Sequence, residues 1–177
     1  MDTITETFRS EYRRYRMLAE KAIEQVSEEE CCRAFGDASI AMYLEHVGSN
    51  LTSRFTDFLT SDGEKPDRDR EHEFDLAHIT REHARHAWQI GWSRLQKALE
   101  ELSDEDLSHI VTIRKVELRV SEALTRSLSH TSYHVGQMVL LAKMQRGQAW
   151  ISLSIPRGQS ESYNRNPTHE KAEGKAP

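Results

Sequence analysis

Two of the nine histidines in this 177-residue chain, His130 and His134, stand four apart in SHTSYHVGQ. On a helix that spacing stacks both imidazoles on one face, where they can grip one cation as the paired histidines of zinc proteases do. At about 100° per residue, His130, His134, Gln137 and Leu141 fall within roughly 60° of one another, and Ala123 shares the stripe, so this face reads as inward. Two histidines do not complete a site, and a third ligand must come from elsewhere. His46 is the leading candidate. It shares a stripe with Asn50, Ser53 and Asp57, about 100–140° from the apolar centre of its own segment. Periodicity alone reads that stripe as a solvated face; the functional alternative is a polar wall facing a cleft between helices. Gln137, one turn beyond His134, is placed either to hydrogen-bond a ligand or metal-bound water, or to be a satisfied buried amide. Asn50, one turn after His46, is placed to orient it. Asp57 could serve as a general base if its helix turns it inward.

The other candidates are weaker. His83 and His86, three apart in REHARHAW, lie roughly opposite the seam of Trp88, Trp92, Leu95 and Leu99 and are expected to face solvent. His72 and His78 sit in or beside a charged loop, His109 follows an acidic turn, and His169 lies in the tail; none takes a role from position alone. The only cysteines, Cys31 and Cys32, are adjacent. A disulfide between neighbours closes a strained ring, and no CxxC spacing is present, so they read as two small, partly buried side chains. Arg54, Arg68 and Arg70 flank a loop that turns at Gly63 and stiffens at Pro66. They could bind an anionic substrate. Five acidic residues between 62 and 71 largely cancel their charge, which favours pairing with Asp62, Asp67 and Asp69 that pins the loop.

Four segments carry the helical period needed to position these groups: 3–25, 38–59, 80–102 and 121–146. Between the last two, Val116, Leu118 and Val120 alternate with Glu117 and Arg119, and Val111 and Ile113 can pair with them across Arg114-Lys115. No Asn-Gly marks that turn. The expected fold is therefore all-α, an up-and-down four-helix bundle over residues 1–157, with a short β-hairpin between helices three and four. Residues 158–177 form a polar tail, expected to be disordered from Pro167 onward. The charge balance of 24 basic against 29 acidic residues, a net −5, argues against nucleic-acid partners and charged membrane surfaces. The mean hydropathy is −0.73. The longest apolar run, Met138 to Ala142, is far short of the roughly 20 residues that span a bilayer. The opening MDTITETFRSEY lacks a secretory signature, so a cytoplasmic location is expected. On the fourth helix, Leu124, Leu128, Val135, Val139 and Ala142 form a second apolar stripe. A helix apolar on two faces is wholly buried or shared with another subunit, and a homodimer is expected.

The order of the motifs adds a likeness. His46 in MYLEHVGSNLTSRFTDFLTSDGEKPDRDREHEF, followed by LSHTSYHVGQMVLLAK, resembles the DinB/YfiT-like superfamily. It is similar in particular to a bacterial subgroup with an NxxSRxxDFLxxDGEKxxRxR loop and an SIPRGQS tail, here Asn50 to Arg70 and Ser154 to Ser160. The likeness extends from about Ala19 to Asn164. It implies a four-helix bundle, commonly dimeric, holding a divalent metal on three histidines, which here would be His46, His130 and His134. Zinc and nickel both accept imidazole ligands. Three histidines leave a position open for water or substrate, where water is acidified toward about pKa 7 or a thiol binds as thiolate. The implied activity is a metal-dependent thiol S-transferase joining a low-molecular-weight thiol to an electrophile. The alternatives are a non-catalytic, metal-binding or stress-related dimeric scaffold, and a metal-dependent hydrolase with Asp57 as base.

Overall fold

The computed structural model describes residues 3–168 and is mostly helical, with one small antiparallel sheet. Six helices follow in chain order: α1 (Ile4–Ile23), α2 (Glu28–Cys32), α3 (Ile40–Phe55), α4 (Arg81–Glu101), α5 (Val120–Arg146) and α6 (Ser160–Arg165). The four long ones coincide with the four periodic segments. A short helix of five or six residues shows no period, which is why α2 and α6 were not foreseen. The helix starts are chemically specified. Thr3, Ser39 and Thr80 each accept a hydrogen bond from the amide three residues on, at 3.2, 3.0 and 3.1 Å. Asp104 accepts from the amides of Ile4 and Thr5 at 3.0 and 2.9 Å, tying the start of α1 to the loop after α4.

The central element is α3. All its residues are buried except Ser49, Thr52 and Arg54, so no side of it can be a solvated face. The stripe of His46, Asn50 and Ser53 is accordingly the polar wall and not the solvated surface that periodicity favoured. The helix is also shorter than the 38–59 expected. It stops at Phe55, and Asp57 turns into the left-handed region at φ 49°. The Asp57 carbonyl then accepts the amides of Thr60 and Ser61, both at 3.0 Å, closing a turn where another helical turn was expected.

On one side α3 packs against α4 with no side chain between them at Gly48 and Gly91. A Cβ on Gly91 would lie 2.2 Å from the Gly48 carbonyl oxygen. The Trp88, Trp92, Leu95, Leu99 and Leu102 seam is buried, and Tyr12 sits edge-on to Trp92 and Phe55. The Tyr12 hydroxyl donates to the Leu124 carbonyl at 3.1 Å, joining α1 to α5. Leu124, Val135 and Ala142 are fully buried within this chain, while Leu128 and Val139 are partly buried against the core. The second stripe of α5 is thus covered by the chain itself, which removes the geometric reason for expecting a partner there. The apolar residues that α5 does expose are Tyr133, Leu140 and Met144.

The hairpin forms as expected. β1 (Ile110–Ile113) pairs antiparallel with β2 (Val116–Arg119) in the register Val111 to Leu118 and Ile113 to Val116. Arg114 and Lys115 both take positive φ, 55° and 63°, a two-residue turn that ordinarily selects Asn-Gly. Asp62 supplies the compensation from across the molecule. Its carboxylate accepts the Arg114 and Lys115 amides at 2.8 and 2.7 Å and the Glu64 amide at 2.8 Å. Those backbone donors hold the Asp62 carboxyl down at about 2.

After α5 the chain returns to α1. Gln25 accepts from the Ile151 amide and donates to its carbonyl, at 2.8 and 3.0 Å. Ser154 to Ser160 is exposed along its whole length. The polar tail expected for 158–177 includes α6, and most of its expected disorder, from residue 169, lies outside the described residues. No helix among the described residues is long and apolar enough to cross a membrane.

Candidate metal centre

The mid-point of α3 and the middle of α5 face each other across the core and place His46, His130 and His134 together. One ring nitrogen of each lies within 4.8 Å of the others. His46 and His134 are buried, and His130 is partly exposed. The ring centroids of the three are 5.1, 4.8 and 4.6 Å apart, all edge to face. Among the described residues no fourth His, Cys, Asp or Glu joins this group.

Two of the rings have their tautomer chosen by a neighbour. His46 Nδ1 lies 2.7 Å from Glu73 Oε2, so the ring donates there and its Nε2 keeps a lone pair. His134 Nδ1 lies 2.8 Å from the Gln137 amide oxygen, with the same consequence. The His46 and His130 Nε2 atoms approach to 3.1 Å, close to the roughly 3.3 Å that two donors keep around a tetrahedral zinc with bonds of about 2.0–2.1 Å. Burial of His130, reinforced by the neighbouring His134 and His46, lowers it to about 3; burial likewise lowers His134 to about 4, again with His46 beside it. Both are neutral imidazoles at pH 7, the form that binds a metal. The donor set and the converging lone pairs fit a divalent cation of the zinc or nickel kind.

Glu73 is the functional residue that the sequence did not single out. It sits in a 3-10 turn (His72–Phe74), 3% exposed, and the ring of Phe74 packs on His46 at 4.7 Å between centroids. Arg68 grips the Glu73 carboxylate with Nε at 2.7 Å and a terminal nitrogen at 2.8 Å. Burial alone would raise the Glu73 carboxyl, but the hydrogen bonds from His46 and Arg68 outweigh it and hold the group below its usual range. A carboxylate fixed in this way steadies a ligand histidine and raises its basicity.

The arginines of the loop are therefore structural, as favoured, but their partners are glutamates and not Asp62, Asp67 and Asp69. Arg54 pairs with Glu64 at 2.9 Å and donates to the Gly63 carbonyl; Arg70 pairs with Glu71 at 3.2 Å and covers Phe74. Ser53 fastens the same loop, donating to the Gly63 carbonyl at 2.9 Å and accepting from the Lys65 amide at 3.1 Å.

Of the remaining candidates, Gln137 orients His134, one of the two uses expected of it. Asn50 is buried one turn beyond His46, but it is Glu73 that holds the His46 ring. Asp57 is exposed beyond the end of α3 and lines a separate cavity with Arg94 and Lys97, so the structure does not bring it to the histidines. His83 and His86 are exposed, as expected. Cys31 and Cys32 are free, and burial pushes the Cys31 thiol up to about 12, which leaves it protonated and inert.

Fold and site together define a helical protein with a buried, convergent histidine triad held by loop and helix partners. The chain belongs to the family described as Protein of unknown function (DUF1572), whose model matches residues 2–159. Comparison with curated proteins and with solved structures returned no match.

Proposed function

We propose that His46, His130 and His134 hold one divalent metal ion, zinc or nickel, in a four-helix bundle of the DinB/YfiT-like kind. The single observation that carries this reading is the commitment of Nδ1 on His46 to Glu73 and on His134 to Gln137, which leaves each Nε2 a lone pair within a cluster where His46 Nε2 lies 3.1 Å from His130 Nε2. A bound ion would supply Lewis acidity at an open position, lowering the pKa of a coordinated thiol or water. The chain's own residues do the rest. Glu73 and Arg68 hold His46, Gln137 holds His134, and Phe74 shields one side of the His46 ring. Tyr133 is exposed and lies edge-on to His134, 5.0 Å between centroids.

A low-molecular-weight thiol as substrate is the reading this arrangement supports best: its S–H proton would pass to solvent on binding, and the thiolate would form an S–C bond to an electrophile whose own leaving group departs with the displaced electron pair. Thiol transfer asks the site only to hold a thiolate. Hydrolysis needs a general base as well, and Asp57 does not reach the triad. The exposed stripe of Tyr133, Leu140 and Met144 is the surface we assign to a homodimer.

The test is metal content by elemental mass spectrometry on protein purified without an affinity tag. Near one equivalent at the triad, lost in His46→Ala, His130→Ala and His134→Ala and kept in His86→Ala, supports the centre and directs a screen of thiols against a model electrophile. Variants that keep the wild-type complement, or a triad that stays empty after reconstitution with zinc and nickel, overturn it.

A further inference from the structure

A second group of metal-ligating side chains lies one residue along α3 from the first. Glu45 precedes His46, so its side chain leaves the helix about 100° away, toward the start of α4 instead of toward α5. It is 4% exposed. One carboxylate oxygen, Oε1, lies 3.4 Å from His78 Nε2 and 3.3 Å from His83 Nε2. The other, Oε2, is buried with no hydrogen-bond partner, and so is Nδ1 of His78. Asp75 stands 3.8 Å from that Nδ1, and the ring of His72 stacks on His78 at 3.5 Å between centroids.

A carboxylate this buried is costly unless its oxygens are fully paired. Its two imidazole contacts are longer than the roughly 2.7–2.9 Å of a charge-assisted hydrogen bond. They match the roughly 3.3 Å between donors on one tetrahedral ion. The three donor atoms lie within 4.8 Å of one another and come from three different places: the interior of α3, the loop before α4, and the first turn of α4. Burial grades outward from Glu45 through His78 to the exposed His83, so water can complete the coordination from that side.

We propose that Glu45, His78 and His83 form a second divalent-cation site, distinct from the histidine triad. Two imidazoles and one carboxylate suit a borderline cation such as zinc, cobalt or nickel, and not calcium or magnesium, which prefer all-oxygen sites. An ion there neutralises the buried Glu45 carboxylate and clamps the start of α4 to α3 beside His46. The site does not depend on the triad being occupied.

Metal-stripped protein is titrated with cobalt(II), read by its visible absorption, and with zinc, read by elemental mass spectrometry after gel filtration. His83→Ala is the principal variant, since His83 is exposed and its loss opens no core. The wild type is expected to bind one equivalent more than His83→Ala, with Glu45→Gln agreeing. His130→Ala keeps this equivalent, and His86→Ala, an exposed neighbour on α4, binds as the wild type does. The proposal is overturned if His83→Ala binds as much metal as the wild type. It is equally overturned if His86→Ala loses the same equivalent, which marks scattered surface binding. A protein whose only equivalent disappears in His83→Ala and survives in His130→Ala supports this site and refutes the triad instead.

Discussion

The bare-backbone approach of α3 and α4 yields a prediction whose sign differs among three glycines, all within helices. A Cβ on Gly48 would meet the Ala87 carbonyl carbon and oxygen at 2.4 Å and the Trp88 amide nitrogen at 2.5 Å. One on Gly91 would meet the Gly48 oxygen at 2.2 Å and its Cα at 2.8 Å. These are backbone atoms and cannot swing away, and ordinary contact begins near 3.4 Å, so α3 and α4 must separate by about 1 Å to admit a methyl group. A gap of that size forfeits roughly a quarter to a half of the dispersion energy along the seam. Overpacking typically costs about 1–3 kcal/mol, and this case belongs at or above the top of that range. Alanine's better helix propensity returns only about 0.8–1 kcal/mol.

Gly48→Ala and Gly91→Ala should each lose at least about 2 kcal/mol net, a fall in Tm of roughly 4–8 °C for a chain of this size. Gly136 on α5 is exposed, with nothing within 4 Å of its added Cβ. There only the propensity acts, and Gly136→Ala should gain up to about 1 kcal/mol, raising Tm by roughly 2–4 °C. Thermal and urea unfolding of the three variants measures this directly. If Gly48→Ala or Gly91→Ala is as stable as the wild type, the two helices do not touch through bare backbone and the placement of α3 is wrong. Gly48→Ala pushes α3, which carries His46, away from α4 and should also reduce metal retention, whereas Gly136→Ala displaces nothing and should not.

Three further outcomes follow from the site. Glu73→Gln keeps the shape of the side chain but removes the charge that Arg68 and His46 share, so metal affinity should fall about 10–100-fold in chelator competition; an affinity within twofold of wild type would break the link from Glu73 to His46. Metal-free protein should lose stability as pH falls. His130 and His134 have folded values of about 3 and about 4, below the ordinary 6.5, so between pH 6.5 and those values the unfolded state binds more protons. The loss is at most about 1.4 kcal/mol per pH unit per histidine, less where water reaches the ring, and urea midpoints from pH 7 to 4 should show a slope that flattens in His130→Asn. Asp57→Asn, which alters an exposed turn, should leave metal affinity unchanged; a tenfold loss would place that carboxylate at the site after all.

What was readable in the sequence is what depends on local repetition. The 3.6-residue period located four helices, the two-residue period located both strands, and the four-residue spacing of His130 and His134 put two candidate ligands on one face. Everything that completes the site depends on tertiary placement. The stripe of His46, Asn50 and Ser53 is polar, and periodicity assigns polar stripes to water. It faces inward because α3 is surrounded, a fact that no residue of α3 encodes. Asp57 continues that stripe on paper, yet the helix ends as Thr56 turns extended and Asp57 left-handed, which takes its side chain away. Glu73 lies in a run of alternating charges with no period, and its role follows only from Arg68 on one side and His46 on the other. Asp62 holds a turn at Arg114 and Lys115 that the residues of the turn do not favour, from 52 positions away. The two buried carboxylates share one physical cause. A buried charge is tolerable only beside partners, so each buried carboxylate here, Glu73 and Glu45 alike, obliges the loops to bring a cation or an imidazole to it. The charged stretch from Asp62 to Glu73 reads in sequence as a loop pinned by its own ion pairs, because its charges largely cancel. In the fold the same cancellation packs the loop against α3 and carries Glu73 to the Nδ1 of His46.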